Sequence, residues 1–144
     1  MLRFTPLLLL IALIFSSCAS DEQAQLDPNL PLSEQIDFLI EENEYETALQ
    51  ILEDEDRDDP EVRVLLEKTH LNYGLHNMNT FDPGEMRTRM NSALVQFAEV
   101  LKLNPENGVA REQIQQIMGV YATIPERSPD EEVLEKLREV GFDY

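Results

Sequence analysis

Residues 41–60 read EENEYETALQILEDEDRDDP, and residues 86–105 read MRTRMNSALVQFAEVLKLNP. The two stretches share one pattern. Tyr45, Ala48, Leu52 and Pro60 in the first match Met90, Ala93, Phe97 and Pro105 in the second. In each, an apolar residue follows a small Ala by four places, and Pro comes twelve after the Ala. A four-residue step puts Ala48 with Leu52, and Ala93 with Phe97, on one helical face. The Ala permits close approach of a second helix, the large residue fills the space beside it, and Pro suits the first turn of the next helix.

This pattern resembles the second half of a tetratricopeptide repeat, a helix-turn-helix unit of about 34 residues that stacks into a solenoid. A generic array of helical hairpins is the other reading. The prolines lie 45 residues apart, longer than the usual repeat. The excess falls at residues 76–87, where Asn77, Asn79, Asp82, Pro83 and Gly84 predict a loop and a lengthened helix start. The pattern departs from the family where the helices of a repeat usually cross, since Ile36 and Gln115 stand at places that favour small residues. The resemblance covers about residues 30–122.

Strand-type alternation is missing, so an all-α chain is expected. Six helices are predicted, at about residues 33–42, 44–54, 60–74, 83–103, 105–121 and 129–140, with Gly141 as the final C-terminal cap. Four dipeptides, Asp59-Pro60, Asp82-Pro83, Asn104-Pro105 and Ser128-Pro129, join a capping residue to Pro and signal helix starts. Glu85 and Glu131 add the capping-box spacing. The predicted core stripes include Met86 and Met90 in the fourth helix, and Val109, Ile114, Ile117 and Met118 in the fifth. Helices one and two, and three and four, pair into two repeats. Helices five and six close the array, giving a short solenoid of about two and a half repeats with a terminal capping helix.

The N-terminus carries a different signal. Arg3 precedes an apolar run, LLLLIALIF at residues 7–15, followed by Ser16, Ser17 and Cys18. The run is short for a bilayer span, which needs about 20 apolar residues, and reads as a secretory signal. Phe15-Ser16-Ser17-Cys18 looks like a bacterial lipobox, with Phe15 in place of the usual Leu. That resemblance implies cleavage before Cys18, lipidation of its thiol and acylation of the new amine. An ordinary signal peptide with a Cys near its cleavage point is the alternative. Ala19-Ser20, without an Asp directly after Cys18, resembles sequences sent to the outer membrane. Asp21-Glu22 are similar to acidic surface-export tags, so the periplasmic face is favoured while surface display stays open. The expected organisation is a signal peptide at 1–17, Cys18 with a flexible tether at 18–31, and a helical domain at 32–144.

With 29 acidic against 11 basic residues, the formal charge is −18. Nucleic acid and anionic headgroups are therefore poor partners. The single Cys excludes an intramolecular disulfide and a cysteine-based zinc site. Asp54, Asp56 and Asp58 have calcium-loop spacing, but Asp59 and Leu65 stand where that loop needs Gly and a bidentate Glu. The run EDEDRDDPE at residues 53–61 reads as a solvated turn. His70 and His76 are six apart and do not share a helical face, and Ser92 has no glycine-rich elbow. No enzyme, metal or cofactor is expected. Met78 and Phe81 read equally as loop contacts or as residues folded back over the helices.

The family resemblance implies a concave wall lined by the first helix of each pair. Carried onto this chain, it names Asp37, Ile40, Glu67, Leu71, Glu112 and Gln116. Their acidity implies no carboxylate clamp and a protein or peptide partner with a basic or apolar segment. The leading expectation is an outer-membrane-anchored scaffold or adaptor for an envelope assembly of the secretion, outer-membrane-assembly or polysaccharide-export type. A small-ligand-binding or transport-accessory lipoprotein, with its ligand between helices three and five, is the alternative. A partner or self-association would add stability to so short an array.

Overall fold

The computed structural model describes residues 26–80 and 82–144. The lipobox-like segment, Cys18 and Phe81 lie outside them. Six helices and no strand occur among the described residues: α1 (Leu32–Glu41), α2 (Tyr45–Glu53), α3 (Pro60–Asn79), α4 (Met86–Leu103), α5 (Gly108–Thr123) and α6 (Glu131–Glu139). The chain is all-α over this range.

The two tightest turns are closed by the backbone itself. After α1, the N–H of Glu44 reaches the carbonyl of Leu39 at 2.8 Å, and that of Asn43 reaches Ile40 at 3.1 Å. Asn43 sits at φ 62 between them, a left-handed position that Asn tolerates. The same pair of bonds ends α6, from Phe142 to Leu137 and from Gly141 to Arg138, with Gly141 at φ 90. Phe142 then turns back into the core. Gly141 is the cap that the sequence predicts.

Of the four capping dipeptides, one opens a helix directly. Asp59 accepts from Glu61 N at 2.7 Å, with Pro60 as the first helical residue. Asp82-Pro83 and Asn104-Pro105 instead open tight turns, closed by Glu85 N to Asp82 O and by Asn107 N to Asn104 O, both at 3.1 Å. The helices begin at the end of each turn, at Met86 and Gly108, and Asn107 caps α5 by accepting from Ala110 N. α6 likewise starts at Glu131 rather than at Pro129. Its N-cap, Asp130, makes no side-chain cap bond, because its carboxylate is held by Arg87 and Asn91 of α4. Neither capping-box reading survives.

α3 also outruns its predicted end. Gly74, read as a terminus, lies inside a helix that continues to Asn79. A Cβ at Gly74 would stand 2.5 Å from the ring of Phe97, so glycine here lets α4 press its largest core side chain onto the α3 backbone. Residues 76–79, expected in a loop, therefore belong to the helix. Met78 packs partly buried against the core.

Two clusters form the interior. Ile36, Leu39, Ala48, Leu52, Val62, Leu65 and Leu66 join α1, α2 and the start of α3. A larger group around Ala93, Phe97, Leu101, Ile114, Ile117 and Leu137 joins α4, α5 and α6. Ala48 and Ala93 are both fully buried. α1 packs with α2, and α3 with α4, as hairpins. Helices five and six do not close as a third one. α6 packs chiefly on α4, where Lys136 and Glu139 meet Glu99 and Lys102, and Val133 and Leu137 enter the core. Two predicted core positions are exposed instead: Val109 at 46% and Met86 at 38%. Starting α5 at Gly108 turns Ala110 inward in place of Val109, and Met86 stands at the very start of α4.

Candidate functional site

The residues named for the α1–α3–α5 face are placed unequally. Asp37 of α1 is ion-paired with Lys68 of α3 at 2.6 Å, both about half exposed. Ile40 packs partly buried on the aliphatic cluster, and Leu71 on the larger one. Glu67 is drawn away from the open surface: its Oε1 accepts from Asn104 Nδ2 at 2.9 Å and Asn107 Nδ2 at 2.8 Å. It thereby fastens the α4–α5 turn to α3. Glu112 and Gln116 of α5 stand exposed. The structure thus joins Asp37 to the residue beside Glu67, while α3 and α5 do not form a packed pair.

A cleft of about 340 Å³ lies between α2, α3 and α4. Leu49, Leu66 and Leu103 give its apolar lining, and Glu53, Arg57, His70, Glu99 and Lys102 its charged one. Nδ1 of His70 donates to Oε1 of Gln96 at 2.7 Å. Burial holds His70 below the usual imidazole range, and Arg57 adds to this against the opposing pulls of Gln96 and Glu99. For Lys102, burial disfavours the charge, but bonds to Glu99 and Glu139 outweigh it and raise its pKa. Of the charges along this cleft, Glu99 and Lys102 are paired with each other at 3.0 Å.

A second polar corner lies at the outer ends of α2 and α3. The rings of Tyr45 and Tyr73 stack at 5.0 Å, and Tyr73 OH donates to Glu46 Oε1 at 3.0 Å. His76 lies tilted against Tyr45 at 5.3 Å, so the histidines are packed separately, on aromatic and amide neighbours. Burial and the Glu46 carboxylate raise the Tyr73 phenol.

The C-terminal half of α5 is bordered by two further clefts. One, about 150 Å³, lies toward the start of α4 and includes Met86, Met90, Val120 and Ile124. The other, about 470 Å³, lies toward α6 and includes Met118, Ala122, Pro129, Leu134 and Tyr144. Arg127 and Tyr121 line both. Beneath them a polar chain ties three elements together. Asn91 Nδ2 donates to Asp130 Oδ2 at 2.6 Å, Arg87 Nη2 to Asp130 Oδ1 at 2.6 Å, and Tyr121 OH to Asn91 Oδ1 at 3.3 Å. Sequence reasoning missed this group because its members lie 30 to 43 positions apart. The available signal was Asp130 itself, a residue as well suited to an N-cap as the Ser128 read for that role.

The acidic run after α2 works as turn chemistry. Asp56 Oδ1 accepts from Asp58 N at 3.0 Å, and Asp59 caps α3. Ser92 Oγ accepts from Asn77 Nδ2 at 3.1 Å. Among the described residues no group of three or more His, Cys, Asp or Glu is placed to hold a metal ion. No described helix is long and apolar enough to cross a membrane. Compared with protein-family models, with curated proteins and with solved structures, the chain gives no match.

Proposed function

We propose that this chain is a lipid-anchored, tetratricopeptide-like adaptor that holds a partner protein at the outer membrane, without catalysis of its own. The supporting observation is the recurrence of one packing device in two successive hairpins: Ala48 and Ala93, in phase in the sequence, are both fully buried. Of the residues that this reading assigns to its groove, Glu112 and Gln116 stand in solvent and Asp37 is half exposed beside its Lys68 partner. An acidic face of this kind attracts a basic or partly apolar segment by complementary potential. The apolar run at 7–15 followed by Ser16-Ser17-Cys18 supplies the anchor in this reading. Two or more acyl chains give stable membrane attachment where one alone is marginal.

Two measurements test it. Cys18→Ser is expected to move the protein from the membrane to the soluble fraction; co-sedimentation that persists at high salt removes the anchor. Affinity purification of the acylated chain from solubilised envelopes is expected to recover one partner protein in stoichiometric amount. Repeated recovery of none removes the adaptor role.

A further inference from the structure

We infer that the C-terminal half of α5 is a second docking surface, separate from the α1–α3–α5 face, and that it takes an amphipathic helix whose apolar stripe is flanked by Asp or Glu. The inference rests on the adaptor reading only in expecting a protein partner. Its residues and its charge preference come from elsewhere in the fold.

Three observations carry it. First, α5 has no hairpin mate. α6 crosses to α4 and is fixed there by Asp130 and by the Glu99, Lys102, Lys136 and Glu139 ion pairs. The α5 face that a mate would cover is left open. It carries exposed Gln115, Gly119 and Ala122 above buried Met118, at the i, i+3, i+4, i+7 spacing of a helix–helix contact. Nothing stands within 4 Å of the position a Gly119 Cβ would take, and Gly119 and Ala122 are small enough for a second backbone to come close.

Second, the smaller cleft, on the opposite flank of α5 from Gly119, adds large exposed apolar side chains. Val120 is 47% and Ile124 36% exposed, and Met86 of α4 adjoins them. Contiguous apolar surface of this kind marks a contact site.

Third, charge is segregated. The chain holds 29 acidic residues in 144, yet neither cleft flanking α5 is lined by a single Asp or Glu. Both are lined by Arg127, and one also by Arg87. Arg87 is engaged with Asp130, whereas Arg127 forms no ion pair among the described residues. An unpaired guanidinium between two apolar clefts whose linings hold no Asp or Glu complements a carboxylate beside an apolar stripe. The larger cleft runs open along α5 instead of closing over a ligand, which suits a helix better than a fatty acyl chain.

The test uses the acylated full chain in phosphatidylcholine nanodiscs. The probes are a fluorescent synthetic amphipathic helix with Glu flanking a Leu stripe, its Lys-flanked counterpart, and sodium oleate. The Glu peptide is expected to bind saturably and the Lys peptide roughly tenfold more weakly or worse. Arg127→Glu, at an exposed site, is expected to reverse that order. Gly119→Leu has free space around its side chain and keeps the helix, and it is expected to abolish binding of both peptides. Equal binding of the two peptides, an order unchanged by Arg127→Glu, or full binding by Gly119→Leu overturns the proposal. So does binding of oleate, but of neither peptide, that is lost in Gly119→Leu; that result makes the cleft a lipid site. If a copurifying partner is retained by both variants while neither peptide binds the unaltered chain, this surface is wrong and the adaptor role stands. If no partner copurifies but the peptides behave as stated, the surface stands and the adaptor role falls.

Discussion

The α1–α2 end and the α4–α6 end are held together by different means. The first is joined by a cluster of seven buried aliphatic side chains, and its polar ties, Asp37 to Lys68 and Tyr73 to Glu46, lie at exposed positions. The second places buried Phe97, Tyr121 and Phe142 in its core and adds the Arg87, Asn91, Asp130 and Tyr121 chain across three elements. Aliphatic packing is non-directional and follows from periodicity along the helix. A polar tie fixes one residue to another far away and sets where a helix goes, which is how α6 reaches α4 instead of α5. The N-terminal hairpin follows a repeat pattern, and the C-terminal helix follows a few specific bonds.

Mutations can break this contrast. The largest effect is expected from Phe97→Ala, which empties the fully buried contact between α4 and α3 and costs about 3–5 kcal/mol, read by denaturant unfolding. A loss well below that range would mean that the ring is not the chief contact of the second hairpin. Gly74→Ala probes the same crossing from the other side. Its methyl would meet the ring at 2.5 Å, so a loss of about 1–3 kcal/mol is expected although Ala favours helix.

Asn91→Ala strips Asp130 and Tyr121 of their shared partner and should cost about 1–3 kcal/mol. The sharper readout is hydrogen exchange. Protection should fall in α6 and leave α1 and α2 unchanged, and a uniform loss would erase the distinction between the two ends.

The smallest expected effect is a pH dependence at the junction of the two ends. His70 has a folded pKa held below its unfolded value by burial. The unfolded chain therefore binds the proton first as pH falls. The His70 contribution is complete above the unfolded value and is lost as pH drops through the lower folded one. His70→Gln should flatten the acid limb of the stability curve below about pH 6.5. Superimposable curves for the two proteins would remove His70 from the acid response.

Much of the helical layout is legible in the sequence, because Ile36, Leu39, Ala48, Leu52, Leu65, Leu66, Leu94, Leu101 and Ile117 obey helical periodicity and are buried. Boundaries set by proline dipeptides are less legible. Asp59-Pro60, Asp82-Pro83 and Asn104-Pro105 look alike, and only the turn that follows shows whether the helix begins at once or three residues later. Gly74 reads as a helix end until Phe97 is seen against it, a relation across 23 positions with no local trace. Of the candidate site, Glu112 and Gln116 could be placed on an open face by periodicity alone. Glu67 could not, since its Asn104 and Asn107 partners lie 37 and 40 residues away. The two clefts beside Arg127, lined by no Asp or Glu, stay hidden for the same reason, because α4, α5 and the segment after it must assemble before they form.

α3 belongs to both interiors. Val62, Leu65 and Leu66 lie in the aliphatic cluster, while Leu71, Leu75 and Met78 pack against the other. At 20 residues it is a rod of about 30 Å. Neither end can melt as a whole without taking half the support from its neighbour, so heating should give one sharp transition even where α6 alone opens locally. A protease that cut within this shared rod would release no fragment able to stand alone.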